Sequence, residues 1–442
     1  MRQPTRSNAM TSKQTTTAMI LSLAIGAASF PGAASGQLPS ASTASLATAN
    51  NYTALARGFA AIALNPAGLA MSGNPGFSLS FPAFPIEARV GLNALKLNDI
   101  NEYEGLPVPL ATKEAWLTSV IAEGGLTARV GAAATAFALT AGPIGFQIST
   151  VVEVNATIAP DAFELATFGN AGRTGAARDM TLEGTSAQGW AATTGAFSFG
   201  MPLPAVQGGD LSIGATLKYT VGHALLTGRD DGSTITADPI GLNLSLPSIA
   251  PDSLTPNNGT GLGLDIGLGW ENETWVVSAS VQNVFNSFQW KLDDFAYRAG
   301  VLIVDGSSVS DDFDAQPATA APTALQTEVL AQRFEPVLNL GIAYRASEKL
   351  AVTADFRKDN GEALVLGAGS HVGIGVEFRA LSFLPLRAGF SRISGGAVHL
   401  AGGFGLVLGP VNLSAAYLTY LSEKNSAGEF RAVTVALSFG SH

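Results

Sequence analysis

The sequence predicts an all-β protein that forms a transmembrane antiparallel up-and-down β-barrel of about fourteen strands. The chain of 442 residues is 47% hydrophobic but only 13% charged, and it contains 50 glycines. A soluble protein of this size with so few charges would expose large apolar patches and tend to aggregate. No internal run approaches the roughly 18 uncharged apolar residues of a membrane-spanning helix. A chain that is apolar on average yet lacks such runs is typical of a transmembrane barrel.

Strict alternation in the last hundred residues is the third observation. Residues 372–379 read VGIGVEFR, and residues 432–439 read AVTVALSF. Successive side chains on a strand point to opposite faces, so each ribbon has an apolar face and a small or polar face. A soluble sandwich would bury the apolar face, whereas a membrane barrel shows it to lipid. The composition favours the barrel.

The first 36 residues are predicted to be a signal peptide. Three basic residues, Arg2, Arg6 and Lys13, precede the apolar run from Ala18 to Phe30, and small residues follow. This order of basic, apolar and small segments is that of an export signal, with cleavage expected near Gly36. The alternative, a buried N-terminal helix, is less favoured because the run is short and has Ser/Thr-rich flanks.

Residues 37–75 are predicted to be a linker followed by a plug, also called a hatch. Residues 37–51 are rich in Ser, Thr and Ala, which indicates a loose linker. An Ala-rich helix is expected from Ala54 to Leu64, ended by the Asn-Pro pair, because the residue before proline avoids the α region. The candidate plug residues are Asn65, Pro66, Ala67 and Gly68. The segment fits either a plug inside the barrel or a periplasmic cap on its mouth.

Residues 76–442 are predicted to form the barrel. The first strand, Gly76 to Leu95, contains Pro82 and Pro85, which lack a ladder hydrogen bond and therefore mark a kink or two separate strands. Treating this segment as one kinked strand gives an even number of strands, as bacterial barrels require. Short turns then alternate with long polar segments, and both termini lie at the short-turn end. The long segments are 96–123, 159–184, 227–259 and 291–332.

Ionisable residues on the inward face of the strands form the predicted polar network of the lumen. A charge on the lipid face costs about 2–4 kcal/mol at the bilayer midplane, so these side chains should point inward and pair. The preferred interpretation is an ion-paired network that holds a plug, and the alternative is a polar conduit or ligand clamp. The residues are Arg129, Lys218, Asp265, Asp355, Arg357, Glu377, Arg379 and Arg387.

No enzyme, cofactor or metal site is predicted. There is no Gly-x-Ser-x-Gly elbow, the four histidines stand singly near strand ends, and the sequence contains no cysteine. The glycine-rich run 259–269 is followed by no helix, which a dinucleotide site needs. A net charge of −10 argues against nucleic acid as a partner. Aromatic residues near strand ends are expected to form interface girdles. They are Trp270, Trp275, Trp290, Tyr344, Tyr417 and Tyr420.

Two regions together resemble the FadL-type outer-membrane transport family and its TraF/PorV-like relatives. One is ARGFAAIALNPAGLA at residues 56–70, which is similar to the family's N-terminal hatch with its Asn-Pro-Ala element. The other is the C-terminal run that contains EPVLNLGIAYRASEKLAVTADF, HVGIGVEF and LPLRAGF. The resemblance implies a fourteen-stranded outer-membrane barrel, a plug inside it and hydrophobic small molecules as the substrate class. Fatty-acid-binding residues of the family have no recognisable match here.

Two functions remain open at this level. The first is a monomeric outer-membrane channel for passive uptake or export of fatty-acid-like or aromatic molecules, with membrane lipid and a hydrophobic ligand as partners. The second is a PorV-like barrel that conducts nothing and serves as a scaffold for a secretion-system protein. Deleting Tyr52 to Met71 should change the uptake of a hydrophobic probe only under the first. A stoichiometric protein partner should copurify only under the second.

Overall fold

The computed structural model describes residues 38–81, 86–238, 240–252, 257–306, 308–359, 370–393, 398–421 and 429–440. They form a closed antiparallel barrel of fourteen strands, as predicted. The predicted signal peptide lies outside the described residues. The barrel strands are β1 (Phe77–Ser80 with Ile86–Leu92), β2 (Leu126–Ala141), β3 (Ile144–Ile158), β4 (Ser186–Val206), β5 (Gly209–Arg229), β6 (Gly259–Glu271), β7 (Trp275–Asn286), β8 (Val337–Ser347), β9 (Leu350–Asp359), β10 (His371–Leu381), β11 (Leu384–Ile393), β12 (Val398–Leu408), β13 (Val411–Leu421) and β14 (Glu429–Gly440).

Each strand pairs with its neighbours in sequence, and β14 closes the barrel on β1. Short turns join β2 to β3, β4 to β5, β6 to β7, β8 to β9, β10 to β11 and β12 to β13, all at one end. The long segments leave from the other end, which we call the outer end. Both β1 and β14 have their terminal residues at the short-turn end, because Ser78 lies opposite both Thr140 and Gly440. The alternation expected from the sequence is therefore confirmed.

The first strand has more residues between its two pieces than the neighbouring strand β2 has opposite them. Both pieces lie between β2 and β14, which confirms that they belong to one strand. Ser80 and Ile86 are six positions apart, but their partners on β2, Ala138 and Ala134, are only four apart. The register therefore shifts at this point. Pro82 and Pro85 themselves lie outside the described residues, so the kink assigned to them stays a prediction.

The outer face of the barrel is apolar. Large side chains on alternate positions of β5 and β10 are roughly half exposed: Leu217 53%, Tyr219 51%, Val372 57% and Ile374 53%. Burying apolar surface is worth about 25 cal/mol per Å², so a face of this character is stable only against hydrocarbon. The choice between sandwich and barrel left open by the alternation is therefore settled in favour of the transmembrane barrel.

Residues 38–71 pack against the inner wall of the barrel and form the plug, and residues 72–75 lead from it to β1 at a more exposed position. The plug contains the helices Thr43–Ala47 and Phe59–Leu64 and the 3₁₀ helix Pro66–Ala70. The expectation of a loose linker up to residue 51 is wrong, because the side chains of the first helix are all buried. The second helix begins at Phe59 instead of Ala54, because Gly58 has a φ of 55° and interrupts the helical path.

The long segments at the outer end carry their own secondary structure. Five short strands, Met180–Thr181, Thr234–Ala237, Ile240–Ser245, Val301–Asp305 and Ser308–Asp312, form a second sheet. Four more, Ser248–Pro251, Gln289–Trp290, Phe295–Arg298 and Gln316–Pro317, extend the barrel sheet. The helices are Leu97–Asn101, Leu110–Ala122, Pro160–Phe168 and Thr323–Ala331, with 3₁₀ turns at Leu292–Asp294 and Ala318–Ala320. Within the described ranges, no helix is long and apolar enough to cross a membrane.

Candidate functional site

Glycines on the inner wall form the seat of the plug. A Cβ atom added at any of ten wall glycines would come within 2.9 Å of a plug atom, closer than real Cβ atoms approach. The glycines come from eight strands around the barrel, so the wall touches the plug on all sides. They are Gly145, Gly200, Gly214, Gly267, Gly269, Gly341, Gly373, Gly375, Gly389 and Gly403. At four of these positions the nearest plug atom belongs to the backbone, so glycine lets two backbones pack directly, and at the other six it makes room for a plug side chain.

The Asn-Pro-Ala-Gly element lies at the tightest part of this seat. Asn65 Oδ1 accepts a hydrogen bond of 3.1 Å from the Ala67 amide and so caps the 3₁₀ helix. Its Nδ2 donates to the Leu268 carbonyl of β6 at 3.1 Å. Gly68 lies where a Cβ would be 2.2 Å from the Ala56 carbonyl oxygen. These residues therefore fold the plug on itself and attach it to the wall.

Glu271, at the end of β6, is a buried anchor for the plug. Its carboxylate lies 3.3 Å from the Arg57 guanidinium of the plug and 2.6 Å from that of Arg345 on β8. It also accepts a hydrogen bond from the Ser72 amide. Glu271 is only 2% exposed. Removing one partner of a buried ion pair leaves the other charge uncompensated, so this contact resists separation of plug and wall.

Two more wall carboxylates hold the plug from the adjoining strands β9 and β10. The Thr53 amide donates to Asp355 Oδ2 on β9 at 2.8 Å. The Tyr52 hydroxyl donates to Glu377 Oε2 on β10 at 3.3 Å. The plug is therefore bound through its backbone and a phenol, whereas the wall supplies the charges. Hydrogen bonds to ionised acceptors are roughly twice as strong as neutral ones.

The structure brings the predicted lumen charges together in small separate groups. Lys218 Nζ lies 2.5 Å from Asp265 Oδ1, and both side chains are buried. Glu377 accepts from Arg387 at 2.6 Å and from Arg379 at 2.8 Å. These two groups share no ion pair with each other in the described ranges, so the charges form patches instead of a continuous network.

The remaining predicted charges behave differently. Arg357 pairs at 3.5 Å with Asp359, a residue that the sequence-based set omits. Arg129 is exposed and lies opposite Asn155, with no ion pair within 4 Å among the described residues. Asp355 accepts hydrogen bonds and has no cation within 4 Å in the same part of the chain. Pairing is therefore local, between neighbours on one or two strands.

The space left beside the plug is a small polar chamber. It has a volume of about 70 Å³ and is lined by charged groups, among them Arg89, Asp355 and Arg357. A cavity of about 150 Å³ is needed to hold benzene, and a water molecule occupies about 30 Å³ of liquid. This chamber is about half the size of a cavity that holds benzene, so an aromatic molecule does not fit in it.

The outer mouth of the barrel is filled by a large apolar cluster, which we call the mouth cluster. Five aromatic rings meet there: Phe288 lies 4.7 Å from Phe334 and 5.1 Å from Trp290, while Trp190 and Phe295 complete the group. All thirteen buried members are apolar. The others are Val151, Ala192, Leu225, Ile249, Ala318, Ala321, Leu325 and Val329. The placement of Trp290 corrects the expectation that it belongs to an interface girdle, whereas Trp275 and Tyr344 stack exposed at 4.8 Å.

Residues 318–334, which we call the cap, close this cluster from outside. The helix Thr323–Ala331 buries only two side chains, Leu325 and Val329. Each such side chain is worth about 1.5–3 kcal/mol on burial. Glu328 adds polar contacts to the wall, since Thr227 Oγ1 donates to it at 2.7 Å. The cap is therefore held by few interactions compared with the plug.

An ion-paired group stabilises the outer loops away from the cap. Arg178 lies 2.6 Å from Asp161 and 3.0 Å from Glu164, and Arg173 pairs with Glu114 at 3.1 Å. The hydrogen bond from Arg178, followed by the Thr181 amide, holds the pKa of Asp161 below its usual range. Hydrogen bonds to Asp161 and then to Glu164 raise the pKa of Arg178. This group fixes the helix Pro160–Phe168 to its neighbours.

Sequence reasoning missed Glu271, the mouth cluster and two histidines. Glu271 has the same parity as Asp265, Gly267 and Gly269, so the alternation that identified the inner face would have identified it too. The mouth cluster draws on loop residues without periodicity, so no local signal existed. His371 and His399, which stand near strand ends, are buried. Among the described residues, no group of three or more potential ligands could hold a metal ion.

Comparison with solved structures identifies barrels of the same architecture. The toluene transporter TodX of Pseudomonas putida matches with a TM-score of 0.50 at 13% identity, over 92% of this chain and 99% of that one. The toluene transporter TbuX of Ralstonia pickettii gives 0.49 at 15% identity, over 90% and 97%. A FadL homologue of Pseudomonas aeruginosa gives 0.48 at 11% identity, over 92% and 100%. No family model and no curated protein matches the chain. The resemblance predicted from the sequence is thereby confirmed at the level of the fold.

Proposed function

We propose that this chain is a channel of the bacterial outer membrane through which hydrophobic small molecules pass without a coupled energy source. The observation that carries the proposal is the division of the interior: an apolar aromatic cluster at the outer mouth, followed by a plugged lumen. Ligand sites are concave, mostly apolar and lined by aromatic side chains. The chain is also similar in fold to TodX, which is described as a toluene transporter, and this supports a hydrophobic small molecule as the cargo.

In the proposed path, a hydrophobic molecule first replaces cap side chains in the mouth cluster. It then reaches the lumen, where the chamber of about 70 Å³ is too small for it. Passage therefore requires the plug to shift from its seat. No residue in this path performs chemistry on the molecule: the chain acts as a conduit, not as an enzyme, and it works as a monomer with lipid around its outer face.

The test is the uptake of a neutral aromatic dye, N-phenyl-1-naphthylamine, by vesicles whose outer leaflet is lipopolysaccharide. This leaflet slows the dye, so a channel should raise the initial rate of its fluorescence increase severalfold over vesicles with no protein. Vesicles containing an unrelated outer-membrane barrel serve as the matched control. An initial rate equal to that of the control would rule out the channel and leave a scaffold role.

A further inference from the structure

The mouth cluster contains one buried polar atom that the packing does not explain. Trp290 is 3% exposed, and its Nε1 has no hydrogen-bond partner among the described residues. Buried indole N–H groups usually find an acceptor, and a buried donor left unpaired is destabilising. Trp270 shows the usual arrangement, since its Nε1 donates to the Val206 carbonyl at 2.9 Å.

The position of the Trp290 ring is fixed by the wall. A Cβ at Gly222 would lie 2.4 Å from Cζ3 of the ring, and one at Gly259 would lie 3.1 Å from Cε3. Phe288 packs edge-on at 5.1 Å and Phe295 at 6.0 Å. The ring is therefore held between two glycines and two phenyl rings, and the N–H cannot turn to a partner elsewhere without breaking this packing.

We propose that Trp290 Nε1 donates a hydrogen bond to the ligand of the mouth cluster, so the preferred ligand is an aromatic or other hydrophobic molecule with one neutral acceptor oxygen. A ketone, ester or ether satisfies the indole, whereas a pure hydrocarbon leaves it unpaired. A carboxylate is disfavoured, because Phe288 and Phe295, the rings that pack against the indole, supply no charge to compensate it. This inference rests on the proposed function and specifies its substrate class.

The experiment compares acetophenone with ethylbenzene, which have nearly the same shape and differ by a carbonyl in place of a methylene. Dissociation constants for the full chain in detergent are measured by calorimetry, for the wild type, Trp290→Phe and the matched control Trp270→Phe. Trp290→Phe should weaken acetophenone binding about five- to tenfold and leave ethylbenzene within twofold. Trp270→Phe should change neither. Taking the ratio of variant to wild type for each ligand cancels the partition of that ligand into detergent micelles.

A second measurement needs no variant. The carbonyl stretching frequency of acetophenone bound to the wild-type protein should fall below its value in hexane, because a hydrogen bond weakens the C=O bond. A hexane-like frequency, or equal loss of both ligands in Trp290→Phe, would overturn the inference and leave the proposed channel standing. Binding of neither ligand by the wild type would overturn the proposed function together with the inference.

Discussion

The lumen of the barrel holds the plug and its outer mouth is closed by the cap, but the interactions that hold these two segments differ in kind. Around the plug, the wall offers glycines, hydroxyls and carboxylates, such as the Ser198–Thr216 pair at 2.7 Å, whose threonine donates to the Ile62 carbonyl. At the mouth, the wall and the cap meet through apolar side chains alone, apart from a few contacts of Glu328.

This difference separates two kinds of stability. Backbone contacts and buried ion pairs are directional, so the plug has one position and resists small displacements. Apolar contacts are not directional, so a hydrophobic ligand can replace cap side chains with little change in energy. The mouth is therefore suited to the exchange of cap side chains for a hydrophobic ligand, and the plug is suited to keeping the lumen closed. Variants that affect one region and leave the other unchanged will test whether the plug and the cap are stabilised independently.

The largest effect is expected from Gly214→Val. The new Cβ would lie 2.3 Å from the Pro66 carbonyl carbon, which forces the plug off its seat. Overpacking of about 3 kcal/mol corresponds to roughly 100-fold more plug exposure. Because the chain has no native cysteine, exposure can be measured by maleimide labelling of Ala54→Cys, which is buried in the native plug. Gly195→Val is the matched control, since no atom lies within 4 Å of its Cβ position. Equal labelling rates for the two variants would refute the glycine seat.

Glu271→Gln should have the next largest effect. The amide keeps the size of the side chain but removes the charge that Arg57 and Arg345 share. Loss of charge-assisted hydrogen bonds of about 2 kcal/mol corresponds to roughly 30-fold faster labelling of Ala54→Cys. Glu273→Gln, two residues away on the exposed turn, should leave the rate unchanged. A wild-type rate in Glu271→Gln would show that the anchor is dispensable.

Val329→Ala tests the mouth alone. Removing two buried methyl groups costs about 1.5 kcal/mol, so amide hydrogen exchange in the cap should quicken by roughly tenfold. Labelling of Ala54→Cys should not change, because the cap and the plug have separate contacts. Leu330→Ala, at an exposed position of the same helix, is the control. If Val329→Ala also released the plug, the two regions would be one cooperative unit.

The smallest effect is a response of the outer loops to acid. The pKa of Asp161 is lowered in the folded state by Arg178, so its contribution to stability is present above the unfolded value of 3.8 and is lost as pH falls through the lower folded value. The protection of the helix Pro160–Phe168 against hydrogen exchange, measured relative to the intrinsic rate at each pH, should therefore fall only below about pH 4. Asp161→Asn should exchange faster at neutral pH and lose this pH dependence. An identical acid response in both proteins would place its origin elsewhere.

The alternation of the sequence predicted the strands and the polarity of their two faces, while the low charge content favoured a barrel and the even-number rule gave the strand number. These features follow from the two-residue period of a strand, which is local information. Asn65 was also identifiable, because an Asn-Pro pair ends a helix and begins another. The glycines of the wall gave a partial signal. Their alternation with apolar residues shows that they face inward, but it does not show that the plug packs against them.

The remaining features depend on contacts between distant residues. Glu271 anchors Arg57 from 214 positions away, and Trp290 meets Trp190 and Phe334 only when the loops fold over the mouth. The first helix of the plug, rich in Ser, Thr and Ala, resembles a linker in composition and is ordered solely by the wall around it. The composition of a segment predicts whether it is ordered in water. This segment is instead ordered by its contacts with the inner wall of the barrel.

A reversible tether tests the requirement for plug movement most directly. Thr53 Cβ lies 3.0 Å from the Cβ position of Gly341 on β8, about 0.5 Å closer than a disulfide usually allows, so the two backbones must move slightly apart. A side chain at Gly341 also crowds the Ala54 amide, but this crowding is the same in the oxidised and reduced proteins that the test compares. In Thr53→Cys/Gly341→Cys, the oxidised protein should admit N-phenyl-1-naphthylamine severalfold more slowly than the same protein after dithiothreitol, with both single variants insensitive to the reductant. Equal rates before and after reduction, with the disulfide verified by mass spectrometry, would contradict a channel that opens by release of its plug.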